Sequence, residues 1–198
     1  MTSSRHIDTP DPDTVVLDAA RASILAVGFR RSTLTDIAKR AGISRMTIYR
    51  RWDDMQAVLA DLLVREWDTA LREALAATTT ASPTPAALAG GVVETVRLLR
   101  ADELFARIVE VDPELLLPYL LQRRGRNQDR IVEVLATAVR LGQSESLLRE
   151  GDPVTIARSV VLAAQGYVLS LTTMTDPDVT EDALLGELAH LIEGHLQP

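Results

Sequence analysis

Residues 41–52, AGISRMTIYRRW, bring three arginines, a tyrosine and a tryptophan into one short stretch. These side chains suit the recognition of a nucleic acid better than the making or breaking of bonds. Arginine donates two hydrogen bonds to guanine O6 and N7 in the major groove. Threonine, tyrosine and arginine also donate to phosphate oxygens, which set register without reading sequence. The spacing sorts these residues. Ser44 is of the type that caps a helix N-terminus, so a helix starts just after it. Ile48 and Trp52, four residues apart, share one face and, with Ile43, point back onto the preceding helix. The opposite face carries Arg45, Met46, Tyr49 and Arg50. Arg45 stands at the helix start, the end that reaches base edges when such a helix enters the groove. Thr33, Thr35, Thr47, Tyr49 and Arg51 are candidates for phosphate contacts. On geometry alone, an ordinary helical hairpin with a solvated basic face fits equally well.

Other chemistry is poorly represented. The chain has no cysteine, which excludes thiol nucleophiles, disulfides and cysteinyl metal sites and fits a reducing cytoplasm. Glu187 and His190 form a single E-x-x-H pair, whereas a di-iron site needs two such motifs and further carboxylates. His190, Glu193 and His195, spaced i, i+3 and i+5, are not an H-E-x-x-H motif and share a helix face badly. Gly90-Gly91 lacks the context of a phosphate-binding loop. No catalytic residue, metal or cofactor is expected.

The elements that must position the basic stretch read as helices. In DPDTVVLDAARASILAVGF, Leu17, Ala20, Ile24 and Val27 are spaced 3, 4 and 3, which makes one helical face. Asp11-Pro12 supplies its start and Gly28, in a left-handed conformation, its end. A second helix is expected over 35–41 with Thr35 as N-cap, closed by Gly42. The third, capped by Ser44, ends near Arg51. A long helix then covers 53–76, with Val58, Leu62, Trp67, Leu71 and Leu75 near helical spacing. ATTTASPTPAALAGG (77–91) has the composition of a linker. Helical segments near 92–100 and 103–110 follow. Pro113 and Pro118 bracket the start of another helix reaching about 141. Asp152-Pro153 opens a helix at 153–174, and Leu184, Leu188, Leu191 and Ile192 mark the apolar face of a last one. No strand-like alternation and no repeat interrupts this, so the fold class is all-α.

The charge is unevenly distributed. The net −7 conceals a segment from Arg21 to Trp52 with eight basic residues against Asp36 alone. A basic module joined to an acidic body is the electrostatic footprint of a nucleic-acid surface. Of the 21 basic residues only Lys39 is not arginine, a coding bias before it is a functional statement. The N-terminal MTSSRHIDTPDPDT lacks the apolar run of a signal peptide. The uncharged run at 159–175 is at the short limit for spanning a bilayer and contains Gln165 and Gly166, so it reads as a helix buried between protein surfaces. A cytoplasmic protein with no membrane partner is expected.

GFRRSTLTDIAKRAGISRMTIYRRWDDMQAVLADLL resembles the DNA-binding segment of the TetR family of bacterial transcriptional regulators. The matching elements are Gly28-Phe29, Thr33, Thr35, Ile37-Ala38, Ala41-Gly42-Ile43-Ser44, Thr47-Ile48-Tyr49 and Trp52. The resemblance implies a three-helix, homeodomain-like helix-turn-helix head over 1–55. It also implies a helical body over 56–198 that binds a small molecule and dimerises through its last two helices, about 153–174 and 180–196. Arg45, Met46 and Arg50 then look like base-reading positions, and Thr47, Tyr49 and Arg51 like phosphate contacts. A lysine usual at the start of the long helix is replaced here by Met55, after Asp53 and Asp54, and Arg51 stands where the family more often has histidine.

A single head makes few base contacts, so a homodimer on a palindromic double-stranded DNA operator is expected. Val160, Val161, Ala164, Tyr167, Val168 and Leu171 supply more apolar surface than one partner face needs. In the body, Tyr119, Gln122, Gln165 and Tyr167 are the candidates for contacting a small apolar or mixed-polarity effector. The reading is a ligand-responsive repressor. The alternatives are an activator or a DNA-binding protein without an effector, an all-α enzyme with an incidental basic hairpin, and a protein-interaction module.

Overall fold

The computed structural model describes the backbone of residues 11–78 and 82–198, and the side chains of these residues except 70–78. The described residues are helical with no strand. They divide into two compact units, one made of the chain up to Leu63 together with Arg107–Leu115, the other of Val64–Ala106 with Leu116–Pro198.

The first unit is the head. Helix α1 (Pro12–Val27) starts where Asp11 accepts the Asp13 N–H, and it buries Val16, Leu17, Ala20 and Ile24. It ends at Gly28 with φ 84° and ψ 162°. That pairing is not the left-handed helical one expected from the sequence; it is a region open essentially to glycine alone. Helix α2 (Leu34–Ala41) is capped by Thr33, not Thr35. Thr33 Oγ1 accepts the Asp36 N–H at 3.1 Å and donates to the Asp36 carboxylate at 2.6 Å. The Thr33-x-x-Asp36 spacing lets cap and third residue satisfy one another, which Thr35 and Ala38 cannot do. Gly42, at φ 69° and ψ 23°, closes α2 with the left-handed turn expected there.

Helix α3 (Arg45–Arg51) begins at Ser44, whose Oγ accepts the Thr47 N–H at 3.1 Å. Helix α4 (Met55–Thr78) begins where the Asp54 carboxylate accepts the Ala57 N–H at 2.8 Å, which gives this acid a structural reason at a helix start. Val58 and Leu62 are fully buried, as their spacing requires, while Leu71 and Leu75 lie outside the described side chains. The head is completed by the last part of helix α6 (Glu103–Val111) and a 3₁₀ turn at Pro113–Leu115. Asp112, 2% exposed, accepts the Phe29 N–H at 2.9 Å, and Arg30 bonds the neighbouring Glu114.

The second unit is a bundle. Helix α5 (Pro85–Ala101) packs on α10 (Glu181–Leu196), and α8 (Arg126–Ser144) on α9 (Pro153–Ser170). Their shared core contains Ala89, Val92, Val96, Val139, Ile156, Val160, Leu185, Leu188, Ile192 and Leu196. The linker expected over 77–91 is shorter than its composition suggested; residues 79–81 lie outside the described residues. Thr84 accepts the Ala87 N–H, Pro85 occupies the first turn, and α5 continues through Gly90-Gly91. Burial of Ala89 and Val92 on either side offsets the poor helix propensity of that pair.

The helix expected to reach 141 is interrupted. A short α7 (Leu117–Leu121) ends, and α8 starts afresh after Gly125, whose N–H donates to Gln128 Oε1 at 2.8 Å. The inward face of α10 is Leu185, Leu188, Ile192 and Leu196: Leu188 and Ile192 are buried as expected, whereas Leu184 is half-buried and Leu191 is 59% exposed. Both stripes fit a 3.6-residue period, and only the neighbours of α10 choose between them. The stretch Pro153–Met174 is long and apolar enough to span a bilayer. It packs into the bundle through Ile156, Ala157, Val160 and Leu171, with its last residues in a 3₁₀ turn at Leu171–Met174.

Candidate nucleic-acid interface

Helix α3 is clamped from behind. Ile48 is fully buried and Trp52 is 3% exposed, and Trp52 Nε1 donates to Asp61 on α4 at 2.8 Å. Ile43 is half-buried. This grip fixes the rotation of a helix only seven residues long, too short to be stable by itself. The outer face then presents Arg45, Met46, Tyr49 and Arg50, all exposed, with Met46 at 81%. Exposing a methionine and a tyrosine side by side costs burial, and among arginines it forms an amphipathic surface. Neither Arg45 nor Arg50 has a carboxylate partner among the described residues.

The candidate phosphate residues are placed differently from one another. Thr33 is exposed but engaged with Asp36, and Thr35 is half-buried in the first turn of α2. The Thr47 hydroxyl shares a 2.8 Å hydrogen bond with Ser44. Arg51 is not left free: its Nε donates to Asp13 at 3.0 Å, and its guanidinium lies 5.2 Å from the centre of the Trp52 ring. Hydrogen bonding and charge from Asp13 raise the Arg51 pKa further above its ordinary range. Arg21, Arg30, Arg31, Lys39 and Arg40 enter the sequence reading only through the charge count, and of these Arg31, Lys39 and Arg40 are exposed with no carboxylate partner among the described residues.

In the body, the four ligand candidates fall in two pairs, at α7 and on α9. Tyr119 is on α7, its ring 5.5 Å from the Arg123 guanidinium, and the exposed Gln122 follows it. Gln165 and Tyr167 are half-buried on α9, Tyr167 packing against the bundle core.

Comparison with known proteins agrees with this geometry. Residues 16–62 match the model of bacterial regulatory proteins of the tetR family. An uncharacterized HTH-type transcriptional regulator of Mycobacterium tuberculosis is 32% identical over 189 residues, covering 96% of both chains, and one of Mycobacterium bovis is equally similar. The chain belongs to the TetR family. Similar solved structures include the TetR-family repressor AlkX of Dietzia, implicated in n-alkane biodegradation (TM-score 0.69, 21% identity, 94% of this chain and 95% of that one). The repressor QsdR of R. erythropolis gives TM-score 0.69 at 16% identity over 93% and 94% of the two chains. SmeT in complex with triclosan gives 0.62 at 23% over 94% and 92%. At these identities they establish the shared fold. As a TetR-family member the chain is a DNA-binding transcriptional regulator and not an enzyme.

Proposed function

We propose that the protein is a cytoplasmic homodimeric repressor that binds a palindromic operator and leaves it when a small apolar or mixed-polarity effector enters the body. The observation that carries the DNA half is the division of α3: Ile48 and Trp52 sealed inside, Arg45, Met46, Tyr49 and Arg50 turned out. Arg45 and Arg50 are the proposed guanine readers and Met46 a contact for a thymine methyl, with Tyr49, Thr33, Thr35 and Thr47 on phosphates. Arg51 joins the phosphate contacts by exchanging its Asp13 bond for a phosphate oxygen.

Two recognition helices serve successive major grooves when they are about 34–36 Å apart. Dimerisation through α9 and α10 is supported by leucines that the single chain leaves in water, Leu162 at 69% and Leu191 at 59% exposure. The proposed effector contacts are Tyr119, Gln122, Gln165 and Tyr167, and an effector acts by favouring the separation that does not fit DNA. Selection from genomic fragments followed by footprinting tests the reading. A two-fold site protected by the wild type and lost with Leu162→Lys, which also yields monomers in sedimentation, is the expected result. Diffuse coverage with no two-fold site refutes it.

A further inference from the structure

The cations from Arg30 to Arg51 fall into three groups. Arg30 and Arg51 are bonded to carboxylates. Arg45 and Arg50 stand on the outer face of α3. The third group, Arg31, Lys39 and Arg40, surrounds an open cleft of about 480 Å³ between α1 and α2, whose remaining lining is Ser23, Val27 and Asp36. The recognition helix contributes nothing to this cleft, and the reading of α3 does not account for it.

Its chemistry is that of an anion site. An acid three or four residues before a lysine or arginine on a helix ordinarily pairs with it. Here Asp36 is turned back to Thr33, whose hydroxyl donates to it at 2.6 Å, and Lys39 and Arg40 have no carboxylate partner among the described residues. Arg31 is held at the rim because its Nε donates to the Val27 carbonyl at 2.8 Å, which leaves its terminal nitrogens as oriented donors. Behind the cleft, Ser23 is 2% exposed and shares a 3.0 Å hydrogen bond with Ser32, which in turn donates to the Gly28 carbonyl. Three cations against one acid around one concavity leave it net positive, which suits the several oxygens of a phosphate.

We propose that the cleft formed by Arg31, Lys39 and Arg40 binds phosphate groups, as a second anion site of the head distinct from the face of α3. The phosphate is supplied either by a DNA strand or by a free phosphorylated compound. Two arms on the full-length protein separate the sources. In the first, calorimetry measures inorganic pyrophosphate binding to the wild type, Lys39→Ala/Arg40→Ala and Arg45→Ala/Arg50→Ala. Binding weakened at least tenfold by the cleft pair and unchanged by the α3 pair supports a free phosphorylated ligand. In the second, affinity for genomic DNA fragments is measured against salt concentration. A log–log slope shallower by about two in the cleft pair, against no such change in the body control Arg140→Ala/Arg158→Ala, supports the DNA backbone. All substituted residues are exposed, so folding is preserved, and circular dichroism checks it. Pyrophosphate bound equally well by the cleft pair, or no pyrophosphate binding together with an unchanged slope, overturns the proposal.

Discussion

Arginines on the outer face of the head's recognition helix and arginines in the body have opposite surroundings. Arg45 and Arg50 are exposed without a carboxylate partner among the described residues. In the body, Arg97 pairs with Asp182 at 2.8 Å, Arg100 with Glu181 at 3.3 Å, Arg124 with Asp129 at 2.7 Å and Arg130 with Asp68 at 2.9 Å. The residue type is the same, and the local supply of acid decides its role. The body is rich in acids and spends its arginines on tying helices together: Arg100 also donates to the Val168 carbonyl and the Thr172 hydroxyl. The segment from Arg21 to Trp52 contains only Asp36 as an acid, and that carboxylate accepts from Thr33, so Arg31, Lys39, Arg40, Arg45 and Arg50 have no carboxylate partner among the described residues.

The largest effect that sharpens this contrast comes from behind the interface. Ile48→Ala removes a fully buried side chain and is expected to destabilise the head by about 2–5 kcal/mol, read by denaturant unfolding. DNA binding falls with it because the rotation of α3 is no longer fixed. Next is Arg45→Ala, expected to weaken operator binding by about 1–3 kcal/mol without moving the unfolding midpoint. A wild-type affinity there would remove Arg45 from the reading surface. The counterpart in the body, Arg97→Ala, is expected to do the reverse. It costs about 0.2–1 kcal/mol of stability, as exposed ion pairs do, and leaves DNA affinity intact.

The smallest effect is on pH dependence. Burial, and then the charge of Arg149, lower the His195 pKa below its ordinary 6.5. As pH falls through that range the unfolded chain takes up the proton first, so stability is kept above about 6.5 and declines below it. Thermal melts from pH 7.5 to 5 are expected to drift downward in the wild type and less in His195→Gln. An equal drift in both would assign the effect to other groups.

The contrast extends to what could be read from the sequence. In the head, each position has a local reason: Ser44 caps, Gly42 turns, and Ile48 and Trp52 fall four residues apart on one side of a short helix. Two expectations differ there: the Asp36 partner makes Thr33 and not Thr35 the cap of α2, and Gly28 ends α1 at ψ 162° instead of in the left-handed turn. In the body the periodicity is real but ambiguous. Leu184, Leu188 and Leu191 form as good a stripe as Leu185, Leu188 and Ile192, and the α7–α8 break depends on Gln128 reaching back to the Gly125 N–H.

The sequence by itself determined the helical class, the capped recognition helix, its inward and outward faces, and the separation of positive from negative charge. Those properties follow from neighbours within a turn or two, where spacing alone brings groups together. Only the tertiary structure decided that Arg51 is held by Asp13, that Asp112 caps the Phe29 N–H from far along the chain, and that Lys39 and Arg40 meet Arg31 around a cleft. Each of these joins residues on different elements, and their meeting depends on how the helices pack, which no local spacing encodes.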